Sequence, residues 1–197
     1  MSHAANIAFQ QDFRPYIFDQ QTVEFPVLHL IDDYAFIGLD SNADEFGFFE
    51  RFFAEGDLGE AQLERLNQLL DSDAVAGKKI IIYLHHHPFH FSRSVSSREG
   101  KKHAFKAFLK RNTEVFRRMK DAHDFLSIVR DRTDVLLFGH KHDGLDLSHQ
   151  SQQYGIRLAL DAGSSTNTDD FVDRMRIRVI NLEELSYQTH IIKLSTG

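Results

Sequence analysis

Two histidine clusters, each placed directly after a short apolar run, carry the clearest chemistry in this sequence. Residues 85–87 are three consecutive histidines after the run 79–84, and His140 and His142 follow the run 134–138. Imidazole is the commonest protein ligand for divalent transition metals. Because both runs are predicted to be buried strands, we expect the histidines to meet at one edge of a sheet. The pattern therefore predicts a metal site.

Strand geometry predicts different roles for the histidines within each cluster. Side chains alternate between the two faces of a strand, so residues i and i+2 share a face. We therefore expect His140 and His142 to face one cleft. By the same alternation, His85 and His87 are expected to point away from His86 and to support it by packing.

The first half of the sequence predicts a hairpin followed by a helix. The apolar runs 27–31 and 34–39 flank Asp32-Asp33, a pattern typical of two antiparallel strands joined by a tight turn. Leucines then recur at helical spacing between residues 59 and 70.

The second half predicts a helix ending near Val129 and then mostly strands. The strand candidates are residues 144–148, 156–160, 175–180 and 187–194. Between Arg174 and Ile180, polar and apolar residues alternate, which predicts a sheet with one face in water. Together the elements predict a mixed α/β layer domain.

The composition is that of an ordinary globular chain. Its 197 residues are enough for one domain, predicted to span residues 1–197, and the formal net charge is -6. An acidic balance argues against nucleic acid as a partner, and no apolar stretch is long enough for a membrane. With no cysteine, thiolate ligands and disulfides are excluded, and we expect a cytoplasmic location.

Five segments, in order along the chain, resemble the calcineurin-like metallophosphoesterase superfamily. Residues 34–42 resemble its strand ending in Leu-Asp-Ser, and residues 56–70 resemble its Gly-x-Leu-x-x-x-Gln-Leu helix. His86-His87-Pro88 and residues 139–142 resemble its fourth and fifth motifs, the latter Gly-His-x-His. Residues 162–165 resemble its Ala-Gly-Ser turn.

This resemblance implies a four-layer αββα sandwich with a binuclear centre of Mn, Fe, Zn or Mg. A metal-activated hydroxide would hydrolyse a small phosphomonoester or phosphodiester, whose identity the sequence leaves open. By position, His86 and His140 would ligate one metal and His142 the other. The family's first three motifs, Asp-x-His, Gly-Asp-x-x-Asp and Gly-Asn-His-Asp/Glu, have no counterpart, so an N-terminally truncated domain is expected.

Three neutral imidazoles cannot bridge two cations as carboxylates do, so this chain alone is expected to be weakly active or inactive. One interpretation is an enzyme whose missing motifs lie in a separate N-terminal half or a longer native chain. The alternatives are a non-catalytic remnant acting as a dimeric or partner-binding module, and a simple divalent-metal-binding protein.

Three further residues near the clusters are candidates for supporting roles. Arg93 and Arg98 lie in a basic stretch after the first cluster and are candidate phosphate-binding residues, because guanidinium grips phosphate oxygens in bidentate fashion. The alternative for both is an ordinary solvated loop. Asp143 follows the second cluster and is a candidate for orienting a ligand imidazole.

Overall fold

The computed structural model of the protein describes residues 24–42, 56–89, 119–140, 144–162 and 174–193. These residues form two sheets and three α-helices, together with one short 3₁₀ helix at Gln152–Tyr154. The strands are β1 Val27–Ile31, β2 Tyr34–Gly38, β3 Lys79–Tyr83, β4 Val135–Phe138, β5 Leu158–Asp161, β6 Arg174–Asn181 and β7 Ser186–Lys193. The α-helices are α1 Glu60–Leu70, α2 Ala122–Val129 and α3 Ser148–Ser151.

Strands β1 to β5 form one sheet in sequence order. The predicted hairpin is confirmed, since β1 and β2 are antiparallel and Ile31 pairs with Tyr34 across the turn. The other neighbours are parallel, so β2, β3, β4 and β5 all end at the same edge of the sheet. This shared edge is what brings the residues after β3 close to those after β4.

Helices α1 and α2 cover one face of this sheet and form the main core. Their apolar sides carry Leu63, Leu66, Phe125 and Val129, which are almost fully buried. They pack on the sheet residues Ala35, Ile37, Ile80, Ile82, Leu136, Phe138 and Ala159. Complete burial of one such side chain contributes about 1.5–3 kcal/mol. The predicted amphipathic helix is therefore confirmed, with the leucine stripe facing the sheet.

The β6–β7 hairpin lies on the opposite face of the five-stranded sheet. Ile180 and Tyr187 pack near Ile81 and Val135 in a second, smaller core. This gives three layers in the described part of the chain: helices, the five-stranded sheet, and the hairpin. The α/β class is thereby confirmed at the level of a mixed sheet with helices.

The polar and apolar residues that alternate along β6 do not face the sides that a polar, water-facing surface would require. Arg178 turns inward, where its guanidinium donates hydrogen bonds to the carbonyl oxygens of Gly144, Leu145 and Asp161. Ile177 and Val179 face outward and are 45% and 57% exposed. The hairpin does have one face in water, but that face carries apolar side chains, because three carbonyl groups satisfy the inward arginine.

The predicted strand at residues 144–148 is wrong. Only Asp146 makes an isolated bridge, to Leu160, and the chain then turns into α3. The Asp146 carboxylate accepts hydrogen bonds from both the backbone N–H and the hydroxyl of Ser148, which closes a local turn. Among the helices of the described ranges, none combines the length and apolarity that crossing a membrane requires.

Candidate metal site

Three histidines from two neighbouring strand ends form one cluster. His85, His86 and His140 each offer a ring nitrogen, and these three atoms lie within 4.8 Å of one another. The backbone fixes this approach beyond the ends of β3 and β4. Leu84 N–H donates to Leu137 O at 3.1 Å, and Gly139 N–H donates to His85 O at 3.0 Å. The pairing of parallel strands thus delivers the imidazoles to one place.

The three rings are in direct contact. Ring centroids are 4.5 Å apart for His86 and His140, 5.0 Å for His85 and His86, and 5.1 Å for His85 and His140. His140 Nδ1 and His85 Nε2 are 3.2 Å apart, a hydrogen bond whose direction depends on which ring carries the proton. The cluster is therefore a compact group of nitrogen donors that can hold a metal ion.

The expectation that His85 points away from His86 is wrong. Strand β3 ends at Tyr83, so the alternation that governs an extended strand does not continue to residue 85. His87 does lie outside the cluster. Its buried ring packs edge-on against Phe138 at 4.7 Å, and its Nδ1 contacts the backbone of Phe89.

His86 is the buried member of the cluster and is held by contacts with two residues. Only 2% of it is exposed, whereas His85 is exposed and His140 is half-buried. Ser41 Oγ lies 2.8 Å from His86 Nδ1 and also accepts a hydrogen bond from the His86 backbone N–H at 3.1 Å. Gly56 lies directly against the imidazole, where an added Cβ would fall 2.3 Å from His86 Cγ.

Burial determines the charge state of His86. Loss of hydration lowers the pKa of His86 from 6.5 to about 3, with further lowering from the neighbouring His140 and His85. Its imidazole is accordingly neutral at physiological pH. A neutral imidazole has the free lone pair that metal coordination needs, so no proton has to be displaced from a charged ring.

His140 adopts an unusual backbone conformation. Its φ of 71° lies in the left-handed region, which residues other than glycine seldom occupy. Such a conformation costs of order 1–3 kcal/mol and is found preferentially at functional sites. Here it turns the chain immediately after Gly139, so that the His140 ring meets His86.

His142, Asp143, Arg93 and Arg98 lie outside the described residues. Within the described ranges, no carboxylate joins the three imidazoles.

Two residues of the site, Ser41 and Gly56, were not expected from the sequence. Both belong to segments noted for their resemblance to the metallophosphoesterase superfamily. No spacing rule places either residue against His86, because the contacts span different elements of the fold.

No protein-family model matches this chain, and no functionally curated protein matches it. The resemblance to the metallophosphoesterase superfamily therefore stays a prediction. The candidate metal site is supported by its geometry.

Proposed function

We propose that this protein binds one divalent transition-metal ion through His85, His86 and His140. The convergence of three ring nitrogens within 4.8 Å at adjoining strand ends is the observation that supports the proposal. All three donors are imidazoles, which suit zinc and similar ions, whereas Mg²⁺ demands oxygen ligands. We therefore favour zinc, with iron and manganese as weaker candidates.

A bound zinc ion requires only a small rearrangement. Zn–N distances of ~2.0–2.1 Å in a tetrahedral site place the ligand nitrogens ~3.3–3.4 Å apart. The ring nitrogens here lie within 4.8 Å of one another, so side-chain rotations that move these atoms by about an ångström bring them to that spacing. His85 is exposed and can turn, exchanging its hydrogen bond with His140 for a bond to the ion.

Hydrolysis of a phosphoester is the second function that we propose. Three protein ligands leave a fourth position for water, the arrangement of catalytic zinc sites, and neutral ligands leave the full positive charge to acidify that water. The ordered segments that resemble the metallophosphoesterase superfamily favour a phosphoester over other substrates. If the chain has the fold of that superfamily, the helices, the five-stranded sheet and the hairpin would be three layers of the αββα sandwich.

A binuclear centre would need further ligands. His142 is the candidate in this chain, and under the family resemblance the carboxylates of the first three motifs would come from a separate N-terminal half or a longer chain. Without them we propose a mononuclear site with weak hydrolytic activity. Simple metal binding without chemistry is the alternative.

Isothermal titration of the chelator-treated protein with zinc tests the metal site. We expect one zinc ion to bind per chain, and we expect this binding to be abolished in His86→Gln and His140→Gln. His123→Gln is the matched control, because His123 is an exposed histidine of α2 away from the cluster. Absence of binding to the native protein, or equal loss in the control, contradicts the proposal.

Turnover of a chromogenic phosphodiester and a chromogenic phosphomonoester by the zinc-loaded protein tests the second function. We expect slow hydrolysis that disappears in His140→Gln and persists in His123→Gln. Hydrolysis no faster than with free zinc at the same concentration would leave metal binding as the function.

A further inference from the structure

Ser41 holds a position from which it can control how His86 presents its ring nitrogens. Ser41 is 1% exposed and follows β2 at the same sheet edge as the histidines. Its carbonyl oxygen accepts a hydrogen bond from Asp57 N–H at 2.9 Å. The serine backbone is therefore anchored to the segment before α1, independently of His86.

The Ser41 hydroxyl contacts His86 at two points. It accepts the His86 backbone N–H at 3.1 Å and lies 2.8 Å from Nδ1. Two hydrogen bonds to one oxygen fix both the chain position and the rotation of the imidazole. With Nδ1 engaged by the serine, Nε2 is the His86 nitrogen that remains for a metal ion.

Gly56 also packs directly against the His86 ring. A Cβ added at Gly56 would lie 2.3 Å from His86 Cγ and 2.7 Å from Nδ1, so the backbone of Gly56 is in contact with the imidazole. The His86 ring is therefore in contact with both a hydroxyl and a glycine, which restricts its movement.

We propose that Ser41 is a positioning residue that orients His86 to coordinate metal through Nε2, an inference that rests on the metal site proposed above. A hydroxyl can donate to Nδ1 or accept from Nδ1–H, so it serves the neutral ring in either tautomer. The metal-binding form has Nδ1–H donating to Ser41 Oγ. Hydrogen-bond partners of this kind orient metal-binding imidazoles, and their removal typically costs 10–100-fold in metal affinity.

Zinc affinity measured by competition with a chromophoric chelator tests this role. We expect Ser41→Ala to bind zinc about 10–100-fold more weakly and Ser41→Thr, which keeps the hydroxyl, to recover most of the affinity. Ser151→Ala is the matched control, since Ser151 is also fully buried and its hydroxyl bonds the carbonyl oxygens of Ser148 and Ile156. Native affinity in Ser41→Ala, or an equal loss in Ser151→Ala, overturns the proposal.

Nitrogen NMR of the metal-free protein separates this inference from the metal site itself. We expect the His86 Nδ1 resonance to shift in Ser41→Ala and to stay in place in Ser151→Ala. An unchanged Nδ1 resonance in Ser41→Ala means that the serine does not hold the ring, and the proposal fails. If the resonance shifts but the native protein binds no zinc, the hydrogen bond is real and the metal-positioning role is refuted together with the metal site.

Discussion

Replacing Gly56 by alanine tests the packing behind the candidate metal site. The added Cβ would lie 2.3 Å from His86 Cγ and 2.6 Å from His86 Cβ, well inside van der Waals contact. His86 cannot easily move to relieve this clash, because it is buried and its Nδ1 is hydrogen-bonded to Ser41. Relief by the backbone is restricted too, since Gly56 O accepts the N–H of Lys120 at 2.8 Å.

The expected cost follows from these contacts. Overpacking one methyl group into a close-packed region costs typically ~1–3 kcal/mol. Loss of the Ser41–His86 hydrogen bond adds ~1 kcal/mol. We therefore expect a decrease of about 2–4 kcal/mol in the free energy of unfolding. For a chain of this size, each kcal/mol lowers Tm by ~2–4 °C, so Tm should fall by roughly 5–15 °C.

Gly139→Ala is the matched control at the same site. An added Cβ there meets only His85 O at 3.8 Å, an ordinary contact. Gly139 is not among the described residues with positive φ, so alanine adopts its conformation without strain. We expect Gly139→Ala to change the free energy of unfolding by no more than ~0.5 kcal/mol.

Urea unfolding in the presence of a chelator measures both variants, and zinc titration measures their affinity. We expect Gly56→Ala to lose stability and to bind zinc more weakly, while Gly139→Ala retains both properties. If Gly56→Ala unfolds at the native urea concentration and binds zinc normally, the packing of Gly56 on His86 is refuted.

Three further predictions concern other parts of the structure. His140→Gly should be more stable than His140→Ala by about 0.5–1 kcal/mol in urea unfolding, because glycine accepts the left-handed φ of 71°; equal stability would refute the strain. Burial raises the pKa of Asp121 to about 6, so folding favours its protonated form, and this contribution to stability is lost as the pH rises from about 4 to 6. In metal-free urea unfolding, the difference between the free energy of unfolding of Asp121→Asn and that of the native protein should therefore increase between pH 4 and 7. Parallel pH profiles of the two proteins would contradict this. Arg178→Met should accelerate hydrogen exchange in β6, β7 and residues 144–147 but not in α1, because three carbonyl groups lose their donor; unchanged exchange would show that the arginine does not anchor the hairpin.

The sequence predicted the elements that local pattern controls. The β1–β2 hairpin and the α1 helix are confirmed because turn residues and leucine spacing act over a few neighbouring positions. The approach of His86 to His140 was also predictable, since two buried strands in one parallel sheet end at a common edge.

The features that were not predicted depend on contacts between residues that are distant in the sequence. The predicted direction of the His85 side chain was wrong because strand alternation was extended to residue 87, whereas β3 ends at Tyr83. The inward arginine of β6 was not foreseen, because its carbonyl partners lie more than fifteen residues away in sequence. Ser41 and Gly56 meet His86 through tertiary packing alone.

The separation of the candidate ligands along the chain has a kinetic consequence. His85 and His140 are 55 residues apart, so a metal joining them is a cross-link that closes a long loop. This link can form only after β3 and β4 have paired, and it must break before they separate. Bound metal should therefore slow unfolding far more than it speeds folding.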